Sequence, residues 1–225
     1  MFTSRVTKKQ VKIQHIPALL FEPIDQPIRA HIIHYHGWGS RKENHAFIAS
    51  AMAAKGFAVL VPDALYHGQR GPNNEEGYDL LPHVVLSNLE EFPLLSSYLN
   101  AKRIFLSGHS MGSMSAGVIF HQKKEVEAAA IINGYLSYKN LDLEIPAALL
   151  KVDPTDFLED IGSRHLLILH GDADSSVDIQ VQRDYVKKAH SYYEPGHLIM
   201  EEISRLDHYI TLWMLERTIN FFLSL

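Results

Sequence analysis

Short apolar runs recur along the chain at residues 32–35, 57–61, 104–106, 128–132 and 166–169. None alternates polar with apolar positions, which predicts strands of a parallel sheet covered by helices on both faces rather than half-solvated ribbons. The stretches between them carry helix signals. Ser40 and Glu43 have capping-box spacing, Phe47, Ala51 and Met52 then share a helical face, and Gly56 supplies a stop. A second helix is expected after Ser110, opening with Gly112, Ser113, Ser115, Ala116 and Gly117, small enough to lie close on a sheet. Asp178 can cap a helix carrying Val181, Tyr185 and Ala189, and residues 209–225 are periodic in Ile210, Trp213, Leu215 and Phe222. Only residues 11–16 alternate, which suggests an antiparallel hairpin at one edge. The pattern as a whole predicts a doubly wound α/β sheet, mostly parallel, with an antiparallel N-terminal edge.

No repeat, low-complexity tract or linker divides the chain, so a single domain over residues 1–225 is expected. Residues 137–164, with Pro146, Pro154 and the apolar patch 145–150, are the only room for a cap, and they are few. A minimal cap over a fairly open pocket suited to small acyl groups follows.

Charge and composition narrow the function. The 21 Lys+Arg against 26 Asp+Glu give a net charge of −5, which offers no basic stripe to neutralise phosphates, so nucleic acid is not an expected partner. The N-terminal residues lack the apolar core of a secretory signal, and no run approaches the roughly 18 apolar residues of a membrane span, so a cytoplasmic protein without a membrane partner is expected. The chain has no cysteine, which excludes disulfides, a thiol nucleophile and cysteine-held metals. Of its 14 histidines, His31, His34 and His36 invite a metal reading. Strand alternation sets His31 opposite the other two with no carboxylate nearby, so neither a metal nor another cofactor is expected. Glu90–Glu91 and Glu201–Glu202 read as solvated faces or first-turn charges rather than as paired catalytic acids. Oligomeric state has no signature in the pattern.

The chemistry gathers at Gly108-His109-Ser110-Met111-Gly112, directly after one strand and before a helix. A serine on so sharp a strand-to-helix turn needs small neighbours two residues either side, because larger ones would meet backbone. Its hydroxyl needs a base to take the proton and an acid to orient that base. His208 follows the strand candidate 197–203, and Asp172 and Asp174 lie in the loop after 166–169, with Asp207 a more distant alternative acid. Ser110, Asp174 and His208 run in the order nucleophile, acid, base. His36-Gly37-Trp38-Gly39 ends an earlier strand before a helix, where the backbone N–H of Trp38, with that of Met111, is placed to hold an oxyanion. Pocket candidates are His36, Tyr66, His67, His109 and Tyr135, with Tyr138 facing either substrate or core.

Over residues 15–220 the chain resembles small α/β-hydrolases of the dienelactone-hydrolase and prolyl-oligopeptidase-like branch, similar to compact bacterial carboxylesterases. His36-Gly37-Trp38-Gly39 resembles that family's oxyanion loop and Gly108-His109-Ser110-Met111-Gly112 its nucleophile elbow. His170-Gly171-Asp172-Ala173-Asp174 before Val177 resembles its acid loop, and this likeness selects Asp174, three residues before Val177, over Asp172. Val61-Pro62-Asp63 with His67-Gly68-Gln69-Arg70-Gly71 resembles a loop that frames the pocket. The chain departs from the pattern in its serine where dienelactone hydrolases proper use cysteine, in having no room for a propeller domain, and in Asp207 where a small residue usually precedes the histidine. The resemblance implies an α/β-hydrolase fold and a serine hydrolase cleaving small carboxylic esters through an acyl-enzyme. A peptidase or amidase with the same triad, and a non-catalytic binding protein on the same scaffold, are the competing readings.

Overall fold

The computed structural model describes residues 5–71, 79–139 and 145–225. Its strands are β1 (Val6–Ile13), β2 (Ile16–Pro23), β3 (His31–Tyr35), β4 (Ala58–Pro62), β5 (Ile104–His109), β6 (Val126–Ile132), β7 (His165–Gly171) and β8 (Leu198–Ile203). They form one sheet in the order β1-β2-β4-β3-β5-β6-β7-β8. β1 and β2 pair antiparallel, β2 meets β4 antiparallel, and every later pairing is parallel. This is the α/β-hydrolase architecture, with the antiparallel edge at the N-terminus. The alternating stretch 11–16 spans the turn of that hairpin, where Gln14 takes a positive φ of 52°, so the strands extend well beyond it on both sides.

Alternate residues of each strand feed two cores, which is why the runs show no polar alternation. Ile104, Leu106, Leu166 and Ile168 pack on one face, Phe105, Leu167 and Leu169 on the other. The first face is covered by α2 (Leu81–Leu99), α3 (Met111–Gln122) and α5 (Ile179–Ala189), through side chains such as Phe92, Phe120 and Tyr185. The second is covered by α1 (Ala46–Ala53) and α6 (Leu212–Leu223), through Met52, Met214 and Phe222. Among the described residues no helix is long and apolar enough to cross a membrane.

Several expectations need correction. Ser40 caps nothing: a 3-10 turn, Lys42–His45, precedes α1, and no side chain caps either element. Because α1 begins at Ala46, its inner stripe is Ala49, Met52 and Ala53, which turns Phe47 outward at 65% exposure. Trp213, on the first turn of α6, is likewise 48% exposed. The longest helix, α2, carries Pro82 in its first turn and Pro93 within, and two of its buried positions are polar. Asn88 donates to Ser115 Oγ at 2.9 Å. Glu91, expected on a solvated face, is 8% exposed and takes both guanidinium nitrogens of Arg70 at 2.5 and 2.8 Å. The Asp178 cap on α5 is present, its carboxylate accepting Gln180 N–H at 2.9 Å.

The cap region holds α4 (Ala147–Leu150) and two 3-10 turns, Pro154–Asp156 and Leu158–Asp160, with 140–144 outside the described residues. Asp153, fully buried, fastens it. One carboxylate oxygen accepts Tyr138 N–H at 2.6 Å and Lys139 N–H at 3.1 Å, the other Thr155 N–H at 2.9 Å and the Thr155 hydroxyl at 2.7 Å.

Candidate active site

The strand ends of β3, β5, β6 and β7 bring the candidate residues together. Between β5 and α3, Ser110 has φ 55° and ψ −123°, a conformation that costs a non-glycine residue about 1–3 kcal/mol. The surrounding backbone enforces it. A Cβ on Gly108 would stand 2.3 Å from Gly112 carbonyl atoms, and one on Gly112 would stand 2.1 Å from Tyr35 O. Both are collisions with backbone, which cannot move aside. Ser110 N–H donates to Ile132 O at 2.9 Å, and the buried Ser113 hydroxyl accepts Ile132 N–H at 2.7 Å beside Gly108 O, tying the turn to β6.

His208 and Asp174 meet from separate loops. Asp174 follows β7, its side chain fully buried, and its Oδ2 accepts from His208 Nδ1 at 2.7 Å. Its Oδ1 accepts Ser176 N–H at 2.9 Å and Val177 N–H at 2.8 Å. His170 Nε2 stands 3.3 Å from Asp174 Oδ2 while donating to Val177 O at 2.9 Å, and burial lowers the His170 pKa. Asp172 turns away and accepts Arg205 N–H at 2.6 Å, tying the acid loop to the segment that leads to His208. Asp207, the third candidate, bonds backbone too. Its Oδ1 accepts the N–H groups of Ser175 and His208, both at 2.8 Å, and the Ser175 hydroxyl at 2.9 Å. Those donors hold the Asp207 carboxyl below its usual pKa. Asn133, at the end of β6 with φ 49°, completes the junction: it accepts Gly171 N–H and donates to Tyr209 O, both at 3.1 Å.

The 36–39 loop passes directly beside the elbow: a Cβ on Gly37 would be 3.4 Å from Ser110 Cβ. Two buried histidines lash this loop to the segment after β4. His36 Nε2 accepts Ala64 N–H at 3.1 Å and its Nδ1–H donates to Gly37 O at 2.9 Å. His67 Nε2 accepts Gly39 N–H at 3.1 Å and its Nδ1–H donates to Leu65 O at 2.8 Å, with the Trp38 ring edge-on to it at 4.9 Å. Both patterns require neutral rings with hydrogen on Nδ1. Burial lowers the His36 pKa to about 4. Below, Lys42 Nζ and Asp63 form a buried ion pair at 2.5 Å.

Ser110 and His208 line one cavity of about 800 Å³ with Trp38 and Tyr135. His36, Tyr66, His67 and His109 do not line it. His36 and His67 brace the loop behind, and Tyr66 packs on the apolar cluster under the cap. The His109 ring lies 5.0 Å from that of His208, and burial, then the neighbouring His208, lower its pKa to about 4. The cavity walls include residues the sequence reading did not single out as pocket positions: Met114, Ile145, Pro146 and Leu149 on one side, Asp79, Leu81 and Pro82 from the start of α2, and Ser175, Ser176 and Val177 from the acid loop. Met114 was open to inference, since it follows Ser110 by four residues on a helix and so rises on the same side. Tyr138, left between substrate and core, also lines the cavity.

Such an arrangement can move a proton between a hydroxyl and an imidazole whose far nitrogen is held by a carboxylate. Comparison with known proteins identifies the family. Residues 16–199 match the profile of the dienelactone hydrolase family. YitV of Bacillus subtilis (strain 168) is 25% identical over 222 residues, covering 85% of this chain and 87% of that protein. The esterase YjfP of Escherichia coli (strain K12) is 27% identical over 188 residues, covering 71% and 75%. Among solved structures, TT1662 from Thermus thermophilus superposes with a TM-score of 0.82 at 22% identity, covering 98% of each chain.

Proposed function

The chain belongs to the dienelactone hydrolase family, and from that premise we propose that it is a single-domain serine hydrolase cleaving carboxylic esters of small acids through an acyl-enzyme. The observation that carries this reading is the 2.7 Å bond between His208 Nδ1 and Asp174 Oδ2, which leaves His208 Nε2 for the cavity that Ser110 also lines. In the reaction, Ser110 Oγ attacks the carbonyl carbon and gives its proton to His208 Nε2. The oxyanion is held by the N–H groups of Met111 and Trp38. As the ester C–O bond breaks, His208 returns the proton to the departing alkoxide, leaving an acyl group on Ser110. Water then repeats the sequence and releases the acid. Asp174 keeps hydrogen on Nδ1 and stabilises the imidazolium. The bonds from Ser176 and Val177 N–H hold its second oxygen, so the carboxylate is oriented before substrate arrives.

The name of a relative supports the substrate class, since YjfP is described as an esterase. Labelling with a fluorophosphonate tests the reading: the wild type should be modified at Ser110, and Ser110→Ala should lose both label and ester turnover, the latter by about 10⁴-fold or more. A labelled Ser110→Ala protein would refute it.

A further inference from the structure

The loop that carries the Trp38 N–H is a tight turn. Ser40 N–H donates to Gly37 O at 3.2 Å, and of the two central residues only Gly39 has a positive φ, 68°, which is the pattern of a type II turn over residues 37–40. A Cβ on Gly39 would meet nothing within 4 Å, so glycine stands there for its backbone angle and not for space. In such a turn the peptide between residues 38 and 39 is reversed relative to the commoner type I form, and here its N–H goes to His67 Nε2 at 3.1 Å. Gly37 O also takes His36 Nδ1–H at 2.9 Å. The carbonyl and N–H of a trans peptide point opposite ways, so holding Gly37 O on one side aims Trp38 N–H to the other. The peptides on either side of the Trp38 Cα are thus each held by a histidine.

His67 lies behind the turn. It is 1% exposed and does not line the cavity, whereas Trp38 does. Its mount is stiff: its Nδ1–H goes to Leu65 O at 2.8 Å and its backbone N–H to Ala64 O at 3.0 Å. Tyr66 before it has φ 63°, uncommon for a residue with a side chain, and a Cβ on Gly68 after it would stand 2.3 Å from the Asp63 carboxylate. That carboxylate accepts Gln69 N–H and Lys42 N–H, both at 3.0 Å. Lys42 is two residues past the turn, so one buried carboxylate fixes both the mount of His67 and the exit of the turn that His67 holds. A ring that only filled space would need no acceptor aimed at Gly39 N–H.

We infer that His67 is a positioning residue for the oxyanion site: by accepting Gly39 N–H it keeps the 37–40 turn in the form that directs Trp38 N–H at the oxyanion. The inference rests on the hydrolase reading, in which this N–H and that of Met111 hold the charge formed when Ser110 adds to a carbonyl. Without the acceptor the 38–39 peptide reverts to the commoner turn, and the Trp38 N–H, hinged on the same Cα, leaves its line. The loss falls on the tetrahedral state and not on substrate binding.

Ligands that mimic each state test this. His67→Leu should lower kcat by about 30- to 100-fold with KM within about threefold, as expected of a misplaced oxyanion donor. A trifluoromethyl ketone accepts Ser110 Oγ at its carbonyl carbon, the hydroxyl proton passing to His208 and the carbonyl oxygen becoming the oxyanion, so its affinity should fall by the same factor. The methyl ketone of the same chain, which is not attacked, should bind within about threefold of its wild-type affinity. His67→Gln, whose Oε1 can take Gly39 N–H, should keep kcat and fluoroketone affinity within about fivefold of wild type. Gly39→Ala probes the same peptide with the ring intact and guards against a leucine variant that fails to fold. Alanine resists the left-handed angle, so kcat and fluoroketone affinity should fall together by about tenfold or more, with Gly39→Asn losing less. Equal losses in folded His67→Leu and His67→Gln, a fall in kcat without a matching fall in fluoroketone affinity, or Gly39→Ala at the wild-type rate would each overturn the positioning role. A wild type that neither takes fluorophosphonate nor binds the fluoroketone would bring down the hydrolase reading, and this inference with it.

Discussion

Asp207 grips Ser175 with one oxygen, accepting its backbone N–H at 2.8 Å and its hydroxyl at 2.9 Å, and the same oxygen takes the N–H of His208. The residue before the candidate base thus fastens the acid loop to the base loop. Asp207→Ala should lower kcat by about 10- to 100-fold, because a small displacement of the base costs that much, while fluorophosphonate still labels Ser110 slowly. Asp207→Asn keeps a carbonyl oxygen for the same donors and should lose far less. Steady-state kinetics of both variants check it; equal losses would refute the positioning role.

The other two carboxylates separate by partner. Asp174→Asn should lower kcat by about 10³–10⁴-fold through the wrong His208 tautomer, with melting temperature little changed. Asp172 accepts the Arg205 N–H and lies away from His208, so Asp172→Asn should cost stability more than rate. The opposite pattern would move the acid to Asp172.

Burial keeps several histidines neutral. His36, His109 and His121 have pKa values lowered to about 4, His34 to about 3 and His45 to about 2, against 6.5 for the free side chain. Because the unfolded chain binds more protons below 6.5, stability is fully present above that pH and falls as pH drops from 6.5 toward 4. Every one of these sites acts in the same direction, against a total of only ~5–15 kcal/mol that holds a domain together. The melting temperature should fall steeply between pH 6.5 and 5, with net proton uptake on unfolding in calorimetry. A flat profile would contradict neutral burial.

Ser110 sits at φ 55°, where glycine is at ease and serine is not. Ser110→Gly should therefore be more stable than Ser110→Ala by about 1 kcal/mol in urea titrations, although glycine normally loses to alanine through its flexible unfolded chain. Equal stabilities would mean the turn stores no strain.

What could be read in advance follows from what the backbone imposes. The parallel strands showed as unbroken apolar runs because both faces are covered, and the elbow showed as two glycines because a Cβ at either would strike main chain. α2 escaped, since Asn88 and Glu91 turn polar side chains inward to Ser115 and Arg70 and its prolines look like breakers. The junction residues escaped for another reason. Asn133 and Asp207 act on the backbone of loops distant in the chain, and such bonds leave no trace in the residue types they join. The cavity walls are drawn from stretches of chain as far apart as Trp38, Asp79, Met114, Leu149, Ser175 and His208, which only the fold assembles.

The Asp153 carboxylate, out of water and met by four donors from both sides of the cap, has a kinetic corollary. Removing its charge would leave four donors without an anion, at about 1.5–3 kcal/mol for each charged hydrogen bond lost. The two stems, Tyr138–Lys139 and Asp153–Thr155, are thereby clasped to each other like the two jambs of a frame. Asp153→Asn should slow refolding less than it speeds unfolding if that clasp closes last, which stopped-flow measurement of both rates would read.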